Sequence, residues 1–199
     1  MECLKDEDCL ARTQVIVEEA RRLESVFRNI WELTRPLTVN VEQADFNQVV
    51  RDAIELFRQD LESANIKVNL SQDQEIPLIL FDPYLIKQAC LNILKNAIES
   101  MPEGGEITII TEMGWDYILF RCIDQGSGIK KENLHSIYNP FFTTKEGALG
   151  LGLAMARKII EDHEGVITVT AREGKGTTVE FRLMLEPSSS SPPLSPTQA

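Results

Sequence analysis

The sequence predicts an α+β fold: a two-layer sandwich of a mixed sheet and about three helices, preceded by a long helix of the dimerisation type. Three observations lead there. Apolar residues recur at helical spacing in some segments and alternate in others, in irregular order. Two pairs of strand segments, 106–124 and 166–185, are joined by short glycine-bearing turns and read as hairpins. Hairpins argue for a mixed sheet with helices on one face and against a doubly wound parallel sheet. The chain has 199 residues, 43% of them hydrophobic, which suits one packed domain plus extensions.

The first element is a helix over about 10–35. Val15, Leu23, Val26, Ile30 and Leu33 form its stripe, Val17, Phe27 and Trp31 widen it, and Pro36 ends it. So broad a stripe needs a partner, its own domain or another chain. Asp45 can cap a second helix, Phe46 to about Ser63, with Val49, Val50, Ala53, Ile54, Phe57 and Leu61 inward. Residues 67–70 alternate as a strand, 77–81 form a short apolar piece, and Asp82-Pro83 opens a helix to about Ser100. Strands follow over 106–111 and 117–124. Leu151 to about His163 is a helix with Leu153, Ala156, Ile159 and Ile160 inward, and Gly165 follows its end. The last strands are 166–171 and 177–185. The Ser/Pro-rich segment 187–199 is low in complexity and predicts disorder. The expected organisation is therefore an N-terminal helical segment over 1–42, a domain over 43–186 and a tail over 187–199.

Composition narrows the function. A net charge of −11, with 20 Lys+Arg against 31 Asp+Glu and no basic patch, excludes a nucleic-acid groove. No apolar run approaches the ~20 residues needed to span a bilayer, so a cytoplasmic chain is expected, with a membrane-anchored parent left open. Cys3, Cys9, Cys90 and Cys122 form no CxxC pair and read as reduced thiols.

The chemistry concentrates between Asp124 and Met155. Asp-Gln-Gly-Ser-Gly-Ile and Gly-Leu-Gly-Leu-Ala-Met flank a segment bearing Thr144 and Lys145. Glycines allow backbone N–H groups to approach a ligand closely, and a helix starting after them presents free N–H groups and a positive dipole end to anions. This is the pattern of a nucleotide phosphate site. Upstream, Asn92 and Asn96 share one face of their helix. They either cap nearby backbone or supply an oxygen ligand for Mg²⁺ and a phosphate-side contact.

Four motifs stand in order: Asn-Ile-Leu-Lys-Asn, Asp-Gln-Gly-Ser-Gly, Asn-Pro-Phe-Phe-Thr-Thr-Lys with Gly-Leu-Gly-Leu-Ala, and Gly-Lys-Gly-Thr-Thr. Over about 43–185 they resemble the ATP-binding domain of sensor histidine kinases, of the superfamily shared with gyrase, Hsp90 and MutL. Pro-Phe-Phe-Thr-Thr-Lys is most similar to the nitrogen-regulatory branch. The resemblance implies that Asp124 accepts from the adenine amino group with Thr177 in support, and that Gly126, Gly128 and Ile129 pass close to the base. It implies Asn96 as Mg²⁺ ligand, Asn92 beside the phosphates, and Thr144 and Lys145 on the phosphate chain. The N–H groups of Gly150, Leu151, Gly152 and Leu153 would cradle that chain under a mobile lid over about 134–149. ATP and Mg²⁺ are the implied cofactors. The implied partners are a phosphoacceptor His, a response regulator and a second copy of the chain joined through the N-terminal helix.

The sequence departs from the pattern twice. Ala148-Leu149 stands where the family has Gly-Thr, which restricts positive φ there. The phosphoacceptor helix has no counterpart: the histidines are His135 and His163, and neither resembles the acceptor. The helix over 10–35 is similar to the second dimerisation helix, so the His is expected in a missing segment or on another chain, and the chain alone is not expected to autophosphorylate. The alternatives are an ATP-binding adaptor without catalysis and an ATPase clamp of the gyrase or MutL kind. For the latter, Asn92 stands where a water-activating Glu is needed.

Overall fold

The computed structural model describes residues 37–145 and 148–185, with scattered positions between Cys9 and Glu24. Both the helix expected over 10–35 and the tail expected over 187–199 lie wholly or largely outside the described residues.

In order, the elements are β1 (Glu42–Ala44), α1 (Phe46–Leu56), α2 (Arg58–Ser63), β2 (Ile66–Gln72), β3 (Ile79–Phe81), α3 (Pro83–Glu99), β4 (Gly105–Met113), β5 (Tyr117–Asp124), a 3₁₀ turn (Lys131–Asn133), α4 (Gly152–Asp162), β6 (Val166–Ala171) and β7 (Thr177–Met184). The main sheet has the order β2-β4-β5-β7-β6, with β2 parallel to β4 and the other neighbours antiparallel. β1 and β3 form a separate antiparallel pair. This is the expected α+β arrangement with a mixed sheet.

Alternation decides which face is buried. Ile118, Phe120 and Cys122 of β5 and Val179, Phe181 and Leu183 of β7 point into the core, where Ile86, Ile93 and Leu94 of α3 and Ala156, Ile159 and Ile160 of α4 meet them. Phe120 and Phe181 are cross-strand partners with rings stacked 4.8 Å apart, and Phe46 of α1 meets Phe181 edge-on at 6.2 Å. The starts of α1 and α3 are capped by aspartates: Asp45, as expected, accepts from Gln48 N–H, and Asp82 from Leu85 N–H.

Three local features differ from or add to what the sequence predicts. The helix expected from Phe46 to Ser63 is interrupted at Phe57, whose N–H bonds back to the Ile54 carbonyl at 3.0 Å. Leu61 is buried beyond the break, as expected, and Leu56 before it is exposed. The strand β1 was not expected, because three residues are too few to show alternation. Gly165 follows the end of α4 as expected, but the residue in the left-handed conformation is Glu164, with φ 57°. Glu164 N–H bonds to the Glu161 carbonyl and Gly165 N–H to the Ile160 carbonyl, a Schellman closure. Gly165 is needed for a different reason, since a side chain there would meet the Arg182 carbonyl. Glu164→Gly should therefore raise stability by about 0.5–1 kcal/mol, relief of left-handed strain outweighing the added unfolded-state entropy. Thermal unfolding should show a rise of about 1–4 °C, and a fall would contradict this account of the turn.

Candidate functional site

β5 ends at Asp124, and its alternation carries this carboxylate to the inner face, 6% exposed. Oδ1 accepts from Gly126 N–H at 2.8 Å and Thr177 N–H at 3.1 Å, and from Ser100 Oγ–H at 3.2 Å, which shares its one proton with the Ala97 carbonyl at 2.8 Å. Among the described residues all three bonds fall on Oδ1, so Oδ2 is the oxygen left for a ligand. Burial raises the pKa of this carboxyl above its ordinary value, while the Gly126 and Thr177 amides, the Ser100 hydroxyl and the Lys145 charge oppose the rise.

The loops around it are locked by backbone contact. Gly128 has φ +68° and Gly176 φ +84°; a side chain on the first would strike the Arg172 carbonyl, and on the second the Asp124 carbonyl. Gly174 N–H donates to the Ser127 carbonyl at 2.8 Å, and Ser127 N–H to the Ser100 carbonyl at 3.1 Å. The β6–β7 turn, the first glycine loop and the end of α3 are thus one unit.

Opposite Asp124, α4 starts at Gly152. No side chain caps it, and Met155 N–H is the first to close a helical bond, to the Leu151 carbonyl. The N–H groups of Gly152, Leu153 and Ala154 lack intrahelical acceptors by geometry. A Cβ on Gly152 would lie 3.4 Å from Asn96 Nδ2 and 3.7 Å from Asn92 Oδ1, so the helix start and the two amides meet directly. Lys145 Nζ lies 3.1 Å from Glu99 Oε2 and 3.2 Å from the Asn96 carbonyl.

These parts surround a cavity of about 1230 Å³. Asn92, Asn96, Asp124, Gly128, Ile129, Thr144, Lys145, Gly150, Leu151, Gly152, Leu153 and Thr177 all line it. Gly126 sits behind the wall and acts through its N–H on Asp124. Sequence reasoning missed Ser100 and Glu99. Glu99 follows Asn92 and Asn96 at helical spacing, and that spacing was the available signal. Between the 3₁₀ turn and α4 no longer helix forms among the described residues. Ala148 does not take positive φ; that role falls to Phe141 (φ 68°) and Gly150 (φ +66°), so the missing glycine is not required for this backbone. His163 is tied at both ring nitrogens, Nδ1 to the Ile159 carbonyl at 2.7 Å and Nε2 to Asp82 N–H at 3.2 Å, while His135 is exposed.

A buried acid and an uncapped helix start with two amides, lining one cavity, fit the family match. Residues 81–187 match the histidine kinase-, DNA gyrase B- and HSP90-like ATPase family. The chain belongs to that family. Within it, this is a histidine kinase catalytic, ATP-binding domain. Sporulation kinase E of Bacillus subtilis is 39% identical over 170 residues, which are 85% of this chain and 23% of that protein. Sensor histidine kinase ZraS of Escherichia coli K12 is 34% identical over 165 residues, 83% of this chain and 36% of that protein. The chain thus spans well under half the length of these curated relatives. The histidine kinase ThkA, solved in complex with the response regulator protein TrrA, superposes with a TM-score of 0.74 at 30% identity, covering 88% of this chain and 51% of that one. Among the described residues no helix is long and apolar enough to cross a membrane.

Proposed function

We propose that this chain is the catalytic module of a two-component sensor histidine kinase, binding ATP with Mg²⁺ and passing the γ-phosphate to a His carried outside these residues. The observation that carries the reading is the pairing across the cavity. Asp124 leaves Oδ2 for an adenine amino group, and the N–H groups starting α4 face the space a phosphate chain fills. Gly126, Gly128, Ile129 and Thr177 shape the base end. Asn92, Thr144, Lys145 and the backbone of Gly150, Leu151, Gly152 and Leu153 serve the phosphate end.

Among the described residues no three His, Cys, Asp or Glu side chains converge as a metal cage. That suits Mg²⁺, which takes one or two protein ligands and completes its shell with water and phosphate oxygens. Asn96 would hold it, and the metal would supply charge neutralisation at the β- and γ-phosphates. The protein's own work is positioning. Asp124 orients the base, the helix start fixes the phosphates, and Lys145 offsets developing charge. A neutral imidazole is already a nucleophile, so the module need not provide a strong base. His163 is poorly suited as acceptor, because both its ring nitrogens are engaged.

The segment around 134–149 acts as a lid in this reading, and the helix expected over 10–35 joins two copies. A response regulator receives the phosphate, by analogy with the partner of ThkA. Calorimetry with a non-hydrolysable ATP analogue on the 199-residue chain tests the core of the proposal. Saturable binding strengthened by Mg²⁺ is expected, followed by acid-labile phosphate on a phosphoacceptor helix supplied in trans. No binding at millimolar nucleotide would leave only the fold. Label on His135 or His163 would overturn the assignment of the acceptor to another segment.

A further inference from the structure

We infer that Glu99 is an internal competitor of the nucleotide's phosphate chain: it pairs with Lys145 and so weakens the affinity of the site for polyphosphates. The inference rests on the ATP reading above and adds a residue to which that reading gives no role.

Glu99 is the last residue of α3 and lines the cavity one turn beyond Asn96. An acid at the C-terminal end of a helix meets the negative end of the macrodipole, and no basic residue lies in the last turn of α3 to offset it. Its compensation comes from cations on either side. Oε2 lies 3.1 Å from Lys145 Nζ, and Oε1 lies 3.9 Å from Lys95 Nζ. The same Lys145 ammonium donates to the Asn96 carbonyl at 3.2 Å, so this cation is drawn to the end of α3 by two oxygens. Lys145 has three N–H donors on a flexible stem. A polyphosphate reaching the start of α4 must exchange Glu99 for phosphate oxygens as the partner of this ammonium. It must also approach a carboxylate of like charge. Both effects act against polyanionic ligands and leave a ligand without the outer phosphates untouched.

The pair is about one-third exposed on each side, so its worth is modest. Glu99→Gln should tighten binding of a non-hydrolysable ATP analogue about two- to five-fold, the range spanned by partly exposed ion pairs. Affinity for AMP should stay unchanged. In the Lys145→Gln background most of the gain should disappear, because the competition is for that ammonium. Calorimetry on the full 199-residue chain reads all three. Weaker triphosphate binding in Glu99→Gln would overturn the inference and make Glu99 a ligand of the metal or a support for Lys145. An equal gain for AMP, or a gain that persists in full without Lys145, would also overturn it. Wild-type protein that binds neither nucleotide would remove the ATP reading itself, a result distinct from a wild type that binds and a variant that does not differ.

Discussion

Replacing Asp124 with Asn should lower adenine nucleotide affinity by about 10- to 100-fold, the worth of a hydrogen bond to a buried charged acceptor. The geometry explains why so small a change costs so much. Gly126 N–H, Thr177 N–H and Ser100 Oγ–H all converge on Oδ1, so the amide oxygen of an Asn must take that place. Its NH₂ then occupies the position of Oδ2 and faces the adenine amino group, donor against donor. The fold should not suffer. Asp124 has a raised pKa because burial disfavours its charge. The folded state therefore bears a cost that is absent below the unfolded pKa and fully developed above the folded one; Asn removes it. Calorimetry should show the loss of affinity while the melting temperature holds or rises at neutral pH. The same raised pKa makes wild-type affinity fall on acidification earlier than an ordinary carboxylate would, and the Asn variant should lack that limb. Unchanged affinity in Asp124→Asn would remove the adenine assignment.

Asn96→Ala should abolish the strengthening of nucleotide binding by Mg²⁺ and reduce phosphoryl transfer to an added acceptor helix by at least about 100-fold, since a metal contributes several kcal/mol to the transition state. Ala is the better helix former, so α3 should persist. The paired control is Asn92→Ala, which should weaken triphosphate binding yet leave its Mg²⁺ response in place. A Mg²⁺ response surviving in Asn96→Ala and lost in Asn92→Ala would exchange the two roles. Both amides lie near the start of α4, since each would be within 3.7 Å of a Cβ placed on Gly152.

Much of this was legible in the chain. Helical and alternating periodicities located α3, β5, α4 and β7, because each buries one face and so must repeat at its own period. Asp124 could be placed at a strand end, and Asn92 and Asn96 on one face, by counting. The break at Phe57 was not legible, because the apolar pattern runs on through it at unbroken helical spacing. The left-handed conformation of Glu164 was not legible either, and the constraint on Gly165 is the proximity of the Arg182 carbonyl, a contact between segments far apart in sequence.

The sequence by itself determined the fold class and, through its motifs, many of the residues that line the cavity, though not Glu99 or Ser100. These depend on periodicity, turn chemistry and residue type, which are local properties. Tertiary structure alone decided how those groups meet. It placed three donors on one oxygen of Asp124, set the start of α4 against the amides of α3, and gave Lys145 a competing partner in Glu99. Each of these pairs residues from different elements, and the strength of a hydrogen bond or ion pair depends on distance and burial, which spacing along the chain does not encode.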